Sequence, residues 1–151
     1  RSLLTPVASP DLLKGRHPLR TPSDLRHHKL LYVYTAEEDW RIWLAAAGVQ
    51  GIELSDRLAF DSYILAQEAA IEGRGLAMTI GPFANDEIRS GRLVQPFALT
   101  APHRHSWQFC CATSHRLKPK IRRFENWLLE QVAADPGLSA YRPSAAVRTG
   151  T

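Results

Sequence analysis

The sequence predicts an α/β fold with a largely parallel sheet that helices cover on both faces. Short apolar runs such as Leu76–Ile80 (LAMTI) are typical of strands that are buried on both faces. Other segments carry apolar residues at helical spacing, as Trp40, Trp43 and Leu44 do. The two kinds of segment alternate along the chain, and this alternation is typical of the α/β class.

The first third of the chain is predicted to contain two strands, Leu3–Ala8 and Lys29–Tyr34, because both segments are short and mainly apolar. Between them, Ser9-Pro10 and Thr21-Pro22 each place a hydroxyl before a proline, an arrangement that favours the start of a helix. We therefore expect short helical turns there, the second over Pro22–Arg26.

A longer helix is predicted to begin after Thr35. In Thr35–Glu38 (TAEE) the hydroxyl and the Glu38 carboxylate can satisfy each other's backbone N–H groups, which is a capping box. Trp40, Trp43, Leu44 and Ala47 then follow at i, i+3, i+4 and i+7, so they share one face. Gly48 is expected to end this helix.

A Gly-x-Gly at residues 73–75 raises the question of a phosphate site. A phosphate site needs its glycines before a helix, whereas these follow one. Asp61 or Ser62 can cap that helix after a half-buried strand, Ile52–Phe60, and its buried stripe is expected to be Ile64, Leu65, Ala69 and Ile71. The glycines are therefore structural, and any ligand-binding groups lie at the start of the helix.

The last third of the chain is predicted to contain a short helix, an extended segment, a strand, a long helix and a disordered tail. Pro96 argues against a central strand in the extended segment, and the tail is small, polar and without periodicity. The long helix carries an apolar side formed by Ile121, Phe124, Trp127, Leu128 and Val132. The five segments are Phe83–Arg89, Leu93–Phe97, His105–Thr113, Pro119–Ala133 and residues 138–151.

Composition narrows the class of protein. The chain has 151 residues, a formal charge of +4 and a pI near 9.4, but its arginines are scattered, which favours a solvated surface over a nucleic-acid face. No apolar run approaches the length of a membrane span and no signal peptide opens the chain, so we expect a cytoplasmic protein without membrane contact. Cys110 and Cys111 are neighbours, and we expect reduced, partly buried thiols.

Catalytic and metal-binding readings have little support in the sequence. Asp61-Ser62 could be matched with a histidine, but the serine lacks the G-x-S-x-G turn that exposes a nucleophile. His103 and His105 could share a face near the two cysteines, but their spacing is not that of a common metal site. We therefore expect a non-enzyme with no metal and no cofactor.

Several segments, read in order, resemble the effector-binding domain of LysR-type transcriptional regulators. They are PVASPDLL, DLRHHKLLY, W-x-x-WLAAAG, FDS before an Ala-rich helix, EGRGLAM, GRLVQPF and a final F-x-x-WLL helix. The resemblance covers about residues 3–134. The segments WLAAAG and FDS in particular resemble the branch of the family that contains the glycine-cleavage, β-lactamase and tryptophan-synthase activators.

The resemblance implies a periplasmic-binding-protein-like fold of two lobes joined by two crossover strands. One lobe is expected to be complete and the other partial. Residues 1–8 would form one crossover, 9–92 the distal lobe, 93–97 the return crossover and 98–137 the closing part of the proximal lobe. The chain is expected to be a fragment without its DNA-binding helix-turn-helix, and DNA contact is expected only through that element. The bare apolar side of the last helix should then promote dimers, tetramers or element exchange.

The resemblance also implies that a small effector binds between the lobes. Phe60, Asp61 and Ser62 begin a helix after a strand, where backbone N–H groups could hold an acidic or amide-bearing, amino-acid- or peptide-like molecule. Trp107 corresponds to an aromatic residue of the opposite wall, and Tyr34 and Thr35 form a third wall candidate. A plain N-cap at Ser62 and core packing of Trp107 remain alternatives, as does the lobe of a solute-binding transport protein.

Overall fold

A computed structural model describes residues 2–53 and 57–141 of the chain. The strands are β1 (Leu3–Val7), β2 (Leu30–Val33), β3 (Arg57–Phe60), β4 (Leu76–Ile80) and β5 (Ala101–Pro102). The α-helices are α1 (Glu38–Ala46), α2 (Tyr63–Ile71), α3 (Asn85–Arg89) and α4 (Pro119–Ala134). Short 3-10 helices cover Pro10–Lys14, Pro22–His27, Tyr34–Ala36, Thr113–His115 and Pro136–Tyr141.

The five strands form one mixed sheet in the order β3-β2-β4-β1-β5. The pairings β2–β3 and β2–β4 are parallel, whereas β1 is antiparallel to both β4 and β5. The α/β class is therefore confirmed, but the expectation of a largely parallel sheet holds only for the β3-β2-β4 half. Their parallel direction brings the C-terminal ends of β2, β3 and β4 to one edge of the sheet, where ligands of such folds commonly bind.

One face of the sheet packs against α1 and the two 3-10 helices near the start of the chain. Trp40 and Trp43 are fully buried there, as their spacing predicts. Each indole N–H is also satisfied: Trp40 Nε1 donates to the Leu31 carbonyl at 2.9 Å, and Trp43 Nε1 donates to the Leu99 carbonyl at 3.1 Å. The second bond ties α1 to the chain that leads into β5.

The opposite face packs against α2 and α3. The predicted stripe of α2 is confirmed only for Ala69 and Ile71, which are partly buried against this core. Ile64 and Leu65 are 64% and 50% exposed, and the buried residues are Ala66, Gln67 and Ala70. Two alanines let the helix axis lie close to the sheet, which leaves no room for larger side chains. Gln67 is acceptable there because its Nε2 donates to Thr79 Oγ1 at 2.8 Å.

The turn between α2 and β4 confirms the structural role of its glycines. Gly73 has φ +75°, the left-handed conformation that ends many helices. Gly75 has φ +155°, and a Cβ at this position would overlap the carbonyl oxygen of Lys29. Any other residue at position 75 must therefore displace the backbone that leads into β2.

The capping box predicted at Thr35–Glu38 is not formed. Tyr34–Ala36 is a 3-10 turn, α1 begins at Glu38 and Glu37 is its N-cap without a side-chain bond. A capping box does form around the Pro22–His27 helix, where Asp24 Oδ2 accepts the Thr21 N–H at 2.7 Å.

Residues 93–102 pack into the same sheet and cores as the rest of the lobe. Ala8 and Val94 exchange two backbone hydrogen bonds, of 3.1 and 2.8 Å, so the two predicted crossover segments lie side by side. Leu93 is buried below the α2 face, and Phe97 stacks on Trp43 with ring centroids 5.5 Å apart. The chain leaves the sheet after β5, where the His103 N–H donates to the Ser2 carbonyl at 2.9 Å.

The region after β5 differs from the prediction in two places. The strand expected over His105–Thr113 is wrong: residues 105–112 have no regular structure and are exposed. Within residues 2–53 and 57–141, no strand lies beside them to accept their backbone hydrogen bonds. Cys110 and Cys111 are exposed free thiols rather than partly buried ones. In the predicted tail, residues 138–141 lie in a 3-10 helix, and residues 142–151 lie outside the described residues.

The long helix α4 agrees with the prediction in its position but has little to pack against. All of α4 is described, and none of its residues is fully buried. Phe124 is 47% and Trp127 52% exposed, and the centroids of their rings lie 5.6 Å apart. Among residues 2–53 and 57–141, no helix combines the length and apolar character that a bilayer crossing requires. Residues 54–56 of the predicted strand Ile52–Phe60 lie outside the described part, and the remainder forms β3 only from Arg57.

Replacing Gly75 tests the close approach of the two backbones. We expect Gly75→Ala to lower the free energy of unfolding by about 3 kcal/mol, because the new methyl group meets the Lys29 carbonyl in a backbone conformation that alanine rarely adopts. Gly91→Ala is the control: its φ of +77° is also positive, but the added Cβ would meet no atom within 4 Å. It should cost about 1 kcal/mol. Equal losses in urea unfolding of the two variants would contradict the proposed overlap.

Candidate functional site

A pocket of about 420 Å³ opens at the C-terminal edge of the parallel strands. The 3-10 turn after β2, the start of α1, the first residue of α2, the end of β4 and the chain after β5 all contribute to it. Its lining residues are Tyr34, Thr35, Ala36, Glu37, Glu38, Asp39, Tyr63, Ile80, His103, Arg104 and His105. This volume is in the range that small-molecule sites occupy.

Tyr34 and Thr35 lie in the wall of this pocket, at the junction of β2 with α1. Tyr34 is 61% exposed, so its ring projects into solvent at the pocket edge. The fold brings these two residues to the pocket because β2 ends at Val33 and they form the 3-10 turn that connects β2 to α1.

Ser62 is the N-cap of α2, immediately before the pocket residue Tyr63. Its Oγ accepts the Leu65 N–H at 3.3 Å, and its backbone is extended at φ −150° and ψ 159°. The residue is half-buried rather than sealed beneath side chains. The first N–H groups of a helix have no partner within the helix, so those that follow Ser62 can donate hydrogen bonds to an anionic or carbonyl group of a ligand.

The pocket lining does not include the other four predicted residues, Ser62, Phe60, Asp61 and Trp107. Phe60 packs partly against the core beneath α2, and Asp61 is exposed. Trp107 is 61% exposed, so core packing does not account for it. It meets the Phe83 ring edge-on at 5.2 Å, and Phe83 in turn lies 6.1 Å from the Tyr63 ring. Trp107 is therefore connected to the pocket indirectly: it contacts Phe83, and Phe83 contacts the pocket residue Tyr63.

The base of the pocket holds a buried carboxylate that the sequence did not single out. Asp39 is 4% exposed, its Oδ2 accepts the Tyr63 hydroxyl at 2.6 Å, and its Oδ1 lies 3.6 Å from His103 Nε2. Burial raises the pKa of Asp39, although the hydrogen bond from Tyr63 and the nearby His103 and His105 act in the opposite direction. Burial and the Asp39 contact together raise the pKa of the Tyr63 hydroxyl, which therefore remains a donor at neutral pH.

The orientation of the His103 ring follows from its own neighbours. Nδ1 of His103 lies 3.3 Å from both the backbone N–H and the carbonyl oxygen of His105, so either tautomer finds a hydrogen-bond partner there. These contacts hold the ring with Nε2 facing Asp39. The two histidine rings also meet edge-to-face at 5.3 Å.

A second pair of charges lies at the rim, where Arg104 forms an ion pair with Glu38. Both side chains are more than half exposed, at 59% and 58%, so this pair is worth little by itself. Together with the Asp39–His103 contact, it joins the start of α1 to the chain that leaves β5.

Sequence reasoning missed Asp39, Tyr63 and the role of residues 103–105. The sequence pattern places Glu37 and Glu38 in a capping box that starts at Thr35, gives Asp39 no role, and makes His103-x-His105 only a weak metal motif. The opposite charges of Glu37–Asp39 and His103–His105 were the signal from which a contact between the two segments could have been predicted. Within the described part of the chain, no three His, Cys, Asp or Glu side chains are grouped closely enough to hold a metal ion.

A sequence profile for the LysR substrate binding domain matches residues 1–133. The chain belongs to the LysR substrate-binding domain family. The predicted resemblance is thereby confirmed, and a ligand-sensing role in transcription regulation is supported over a role in transport.

Individual relatives in this family are transcriptional activators. The chain is 35% identical over 132 residues to the glycine cleavage system transcriptional activator of Escherichia coli strain K12. It is 32% identical over 130 residues to the HTH-type transcriptional activator AmpR of Enterobacter cloacae. The alignments cover 87% and 85% of this chain but 43% of each relative, so the chain spans less than half the length of these proteins.

Solved effector domains of the LysR family have the same fold. The AmpR effector-binding domain from Citrobacter freundii superimposes with a TM-score of 0.65 and 26% identity, over 83% of this chain and 61% of that domain. The AmpR effector domain of Pseudomonas aeruginosa gives a TM-score of 0.64 and 27% identity, over 87% of this chain and 61% of that domain. The periplasmic-binding-protein-like α/β class of these domains is therefore the class of this chain.

The buried Asp39 carboxyl gives a testable pH dependence. Its folded-state pKa lies above the value of 3.8 that an unperturbed aspartate has, so the folded protein holds this proton more tightly than the unfolded chain does. Its contribution to stability is therefore fully present below pH 3.8 and is lost as the pH rises through the folded-state pKa. We expect the free energy of unfolding of the wild type, relative to Asp39→Asn, to fall over this range in urea titrations.

Asp24 supplies a control of opposite sign. Backbone hydrogen bonds from Thr21 and Arg20 lower the pKa of Asp24, so its contribution is present above pH 3.8 and is lost as the pH falls below that value. The wild type should therefore gain stability relative to Asp24→Asn as the pH rises. A pH-independent difference between the wild type and Asp39→Asn would contradict the burial of a titrating carboxyl.

Proposed function

We propose that this chain is the effector-sensing part of a cytoplasmic LysR-type transcription regulator, and that it binds a small molecule at the pocket beside α2. The observation that carries the proposal is the convergence, at one sheet edge, of a helix N-terminus, a half-buried Ser62 and a buried Asp39–Tyr63 pair. A site that combines a concave surface with a few fixed polar groups suits a small ligand. The matched relatives are named as transcriptional activators, which favours regulation over transport or catalysis.

The proposed sensing requires two lobes, and the contacts of residues 97–102 support a division that is later than the sequence suggested. The predicted division put the distal lobe at residues 9–92, a return crossover at 93–97 and the other lobe at 98–137. Phe97 packs on Trp43 and β5 pairs with β1, so we place the return near His103 and assign residues 2–102 to one lobe. On this division, the Glu38–Arg104 ion pair and the Asp39–His103 contact lie at the start of the second lobe.

The ligand contacts follow from this arrangement. The N-terminus of α2 and Ser62 hold a carboxylate, phosphate or amide oxygen of the effector, with Tyr34 and Thr35 on one side of the pocket. Asp61 beside such a group would oppose a negative charge, and its exposure keeps that repulsion small. Trp107 and Phe83 offer an aromatic surface for an apolar part of the effector.

Transmission follows the population-shift scheme. An effector that binds the closed arrangement of the lobes better than the open one shifts the equilibrium, and a coupling of about 1–3 kcal/mol gives a several-fold change in response. We propose that the shift alters how subunits stack in a dimer or tetramer. DNA contact belongs to a helix-turn-helix outside this chain, as in the HTH-type relative AmpR.

Ser62→Ala in the intact regulator tests the ligand role. The effector is identified first, by a thermal-shift screen of amino acids, peptides and phosphorylated metabolites. Loss of a hydrogen bond to a charged ligand group should weaken binding about 10- to 100-fold, measured by calorimetry, and should reduce the response of a reporter promoter accordingly.

Thr21→Ala separates ligand binding from helix capping. Thr21 caps the Pro22–His27 helix away from the pocket, and its loss should cost a similar stability of about 1 kcal/mol without a change in affinity. If Ser62→Ala leaves the effector response at the wild-type level, the site assignment is wrong. If both variants lose the response equally, Ser62 acts only through stability.

Self-association is a further part of the proposal. Two exposed apolar surfaces are available: Ile64 and Leu65 on α2, and Phe124 and Trp127 on α4. Exposed patches of this kind commonly mark protein–protein contacts.

The 151-residue chain should therefore associate as its concentration rises, and the aromatic pair on α4 should be responsible. We expect the weight-average mass from sedimentation equilibrium to increase with concentration for the wild type, and much less for Phe124→Ser/Trp127→Ser. Leu117→Ser, which removes a residue that is 78% exposed outside α4, is the control and should behave as the wild type. A wild-type chain that stays monomeric at millimolar concentration would refute this expectation.

A further inference from the structure

Two short charged segments face each other across the pocket. The acidic segment, Glu37–Asp39, spans the start of α1, and the basic segment, His103–His105, directly follows β5. All six residues line the pocket, although the segments are more than 60 residues apart in the sequence. Arg104 pairs with Glu38, and His103 Nε2 lies 3.6 Å from Asp39 Oδ1.

This pairing makes the pocket selective for the charge of its ligand. A carboxylate that takes Arg104 away from Glu38 leaves a glutamate without its partner, and an ammonium group that takes Glu38 leaves an arginine without its partner. Because Arg104 and Glu38 are more than half exposed in the open pocket, this penalty arises only when closure around the ligand removes water from the side chain left without a partner. A molecule that carries both groups can replace the protein's ion pair with two new ones, so neither side chain loses its partner.

The Glu38–Arg104 ion pair and the Asp39–His103 contact differ in how easily a ligand can break them. Arg104 and Glu38 are both more than half exposed, and exposed pairs contribute little to stability. Asp39 is instead fixed by the Tyr63 hydroxyl at 2.6 Å and is almost fully buried. A ligand therefore inserts between Arg104 and Glu38, while Asp39 and His103 remain in place as a rigid base.

The chemistry of the two exposed partners matches the two ends of such a ligand. The planar guanidinium of Arg104 can bind a carboxylate through two parallel hydrogen bonds. The Glu38 carboxylate accepts from an ammonium group, and the Thr35 hydroxyl in the same wall can do so as well. Ile80 and the ring of Tyr63 provide apolar surface for a side chain.

We propose that the pocket between the acidic and basic segments selects a small zwitterion, with an ammonium and a carboxylate group at the spacing found in an α-amino acid. This inference rests on the proposed function, since it names the chemical class of the effector for that site. It assigns Arg104 to the α-carboxylate and Glu38 to the α-ammonium group of the ligand. The N-terminus of α2 and Ser62 are then left for a carboxylate or amide oxygen on the ligand's side chain.

Truncated analogues of the ligand test this selectivity. The twenty standard amino acids are titrated into the intact regulator by calorimetry at pH 7. Each amino acid that binds is then compared with its deaminated carboxylic acid and its decarboxylated amine. We expect the amino acid to bind at least about 10-fold more tightly than either analogue, since each analogue leaves one protein charge unpaired.

Substitutions should affect the two ends of the ligand separately. Arg104→Gln should weaken the amino acid at least about 10-fold without weakening the amine, and Glu38→Gln should weaken the amino acid without weakening the carboxylic acid. Arg92→Gln is the matched control, because Arg92 pairs with Glu87 rather than with a residue of the pocket. It should bind all three compounds as the wild type does.

The failures of the two proposals are distinguishable. If no amino acid binds at 10 mM, or if an analogue binds as tightly as its parent amino acid, the inference of a zwitterion is wrong. In that case a different compound that acts through Ser62 on a reporter promoter would still uphold the sensing function. If amino acids bind with the expected selectivity but never change transcription, the charge selectivity stands and the regulatory role is wrong.

Discussion

The antiparallel pairing of β1 with both β4 and β5 is the constraint on which the site depends. It holds the first and last strands of the sheet in adjacent positions, so the chain reaches and leaves the lobe at one place. Because β5 is only two residues long, the basic segment emerges directly beside the start of α1. The opposition of charges across the pocket is thus a consequence of strand order, although the two charged segments are distant in the sequence.

The electrostatics of the pocket depend on how deeply each group lies. Asp39 is buried, fixed by Tyr63 and raised in pKa, whereas Glu38, one residue earlier, is exposed and pairs with an exposed arginine, Arg104. The same helix turn therefore supplies one carboxylate that shapes the site and another that can exchange partners. Neighbouring carboxylates often have different roles for this reason, because solvent access sets both their pKa and their cost of opening.

Local patterns predicted those features that depend on local physics. The helical spacing of Trp40 and Trp43 identified a buried face, and the position of Gly73 identified a helix end, because periodicity and left-handed backbone are properties of short segments. The face of α2 was mispredicted because two alanines and the Gln67–Thr79 bond decided it, and that bond needs a partner in β4. The strand expected near Trp107 failed for the same reason, since a strand needs a neighbour that its own sequence does not encode. Tyr34 and Thr35, which line the pocket, were predicted from a strand end, and Ser62, which precedes the pocket residue Tyr63, from a helix start. Asp39 required knowledge of the Tyr63 and His103 contacts.

The hydrogen bond between Gln67 and Thr79 joins the middle of α2 to the penultimate residue of β4, inside the core. The alanines on either side of Gln67 bring the helix close to the sheet, so α2 cannot roll or slide without breaking a buried polar contact. A ligand that displaces the first turn of α2 should therefore displace β4 and the turn at Gly81–Pro82 as well, because the buried bond couples the helix to this strand.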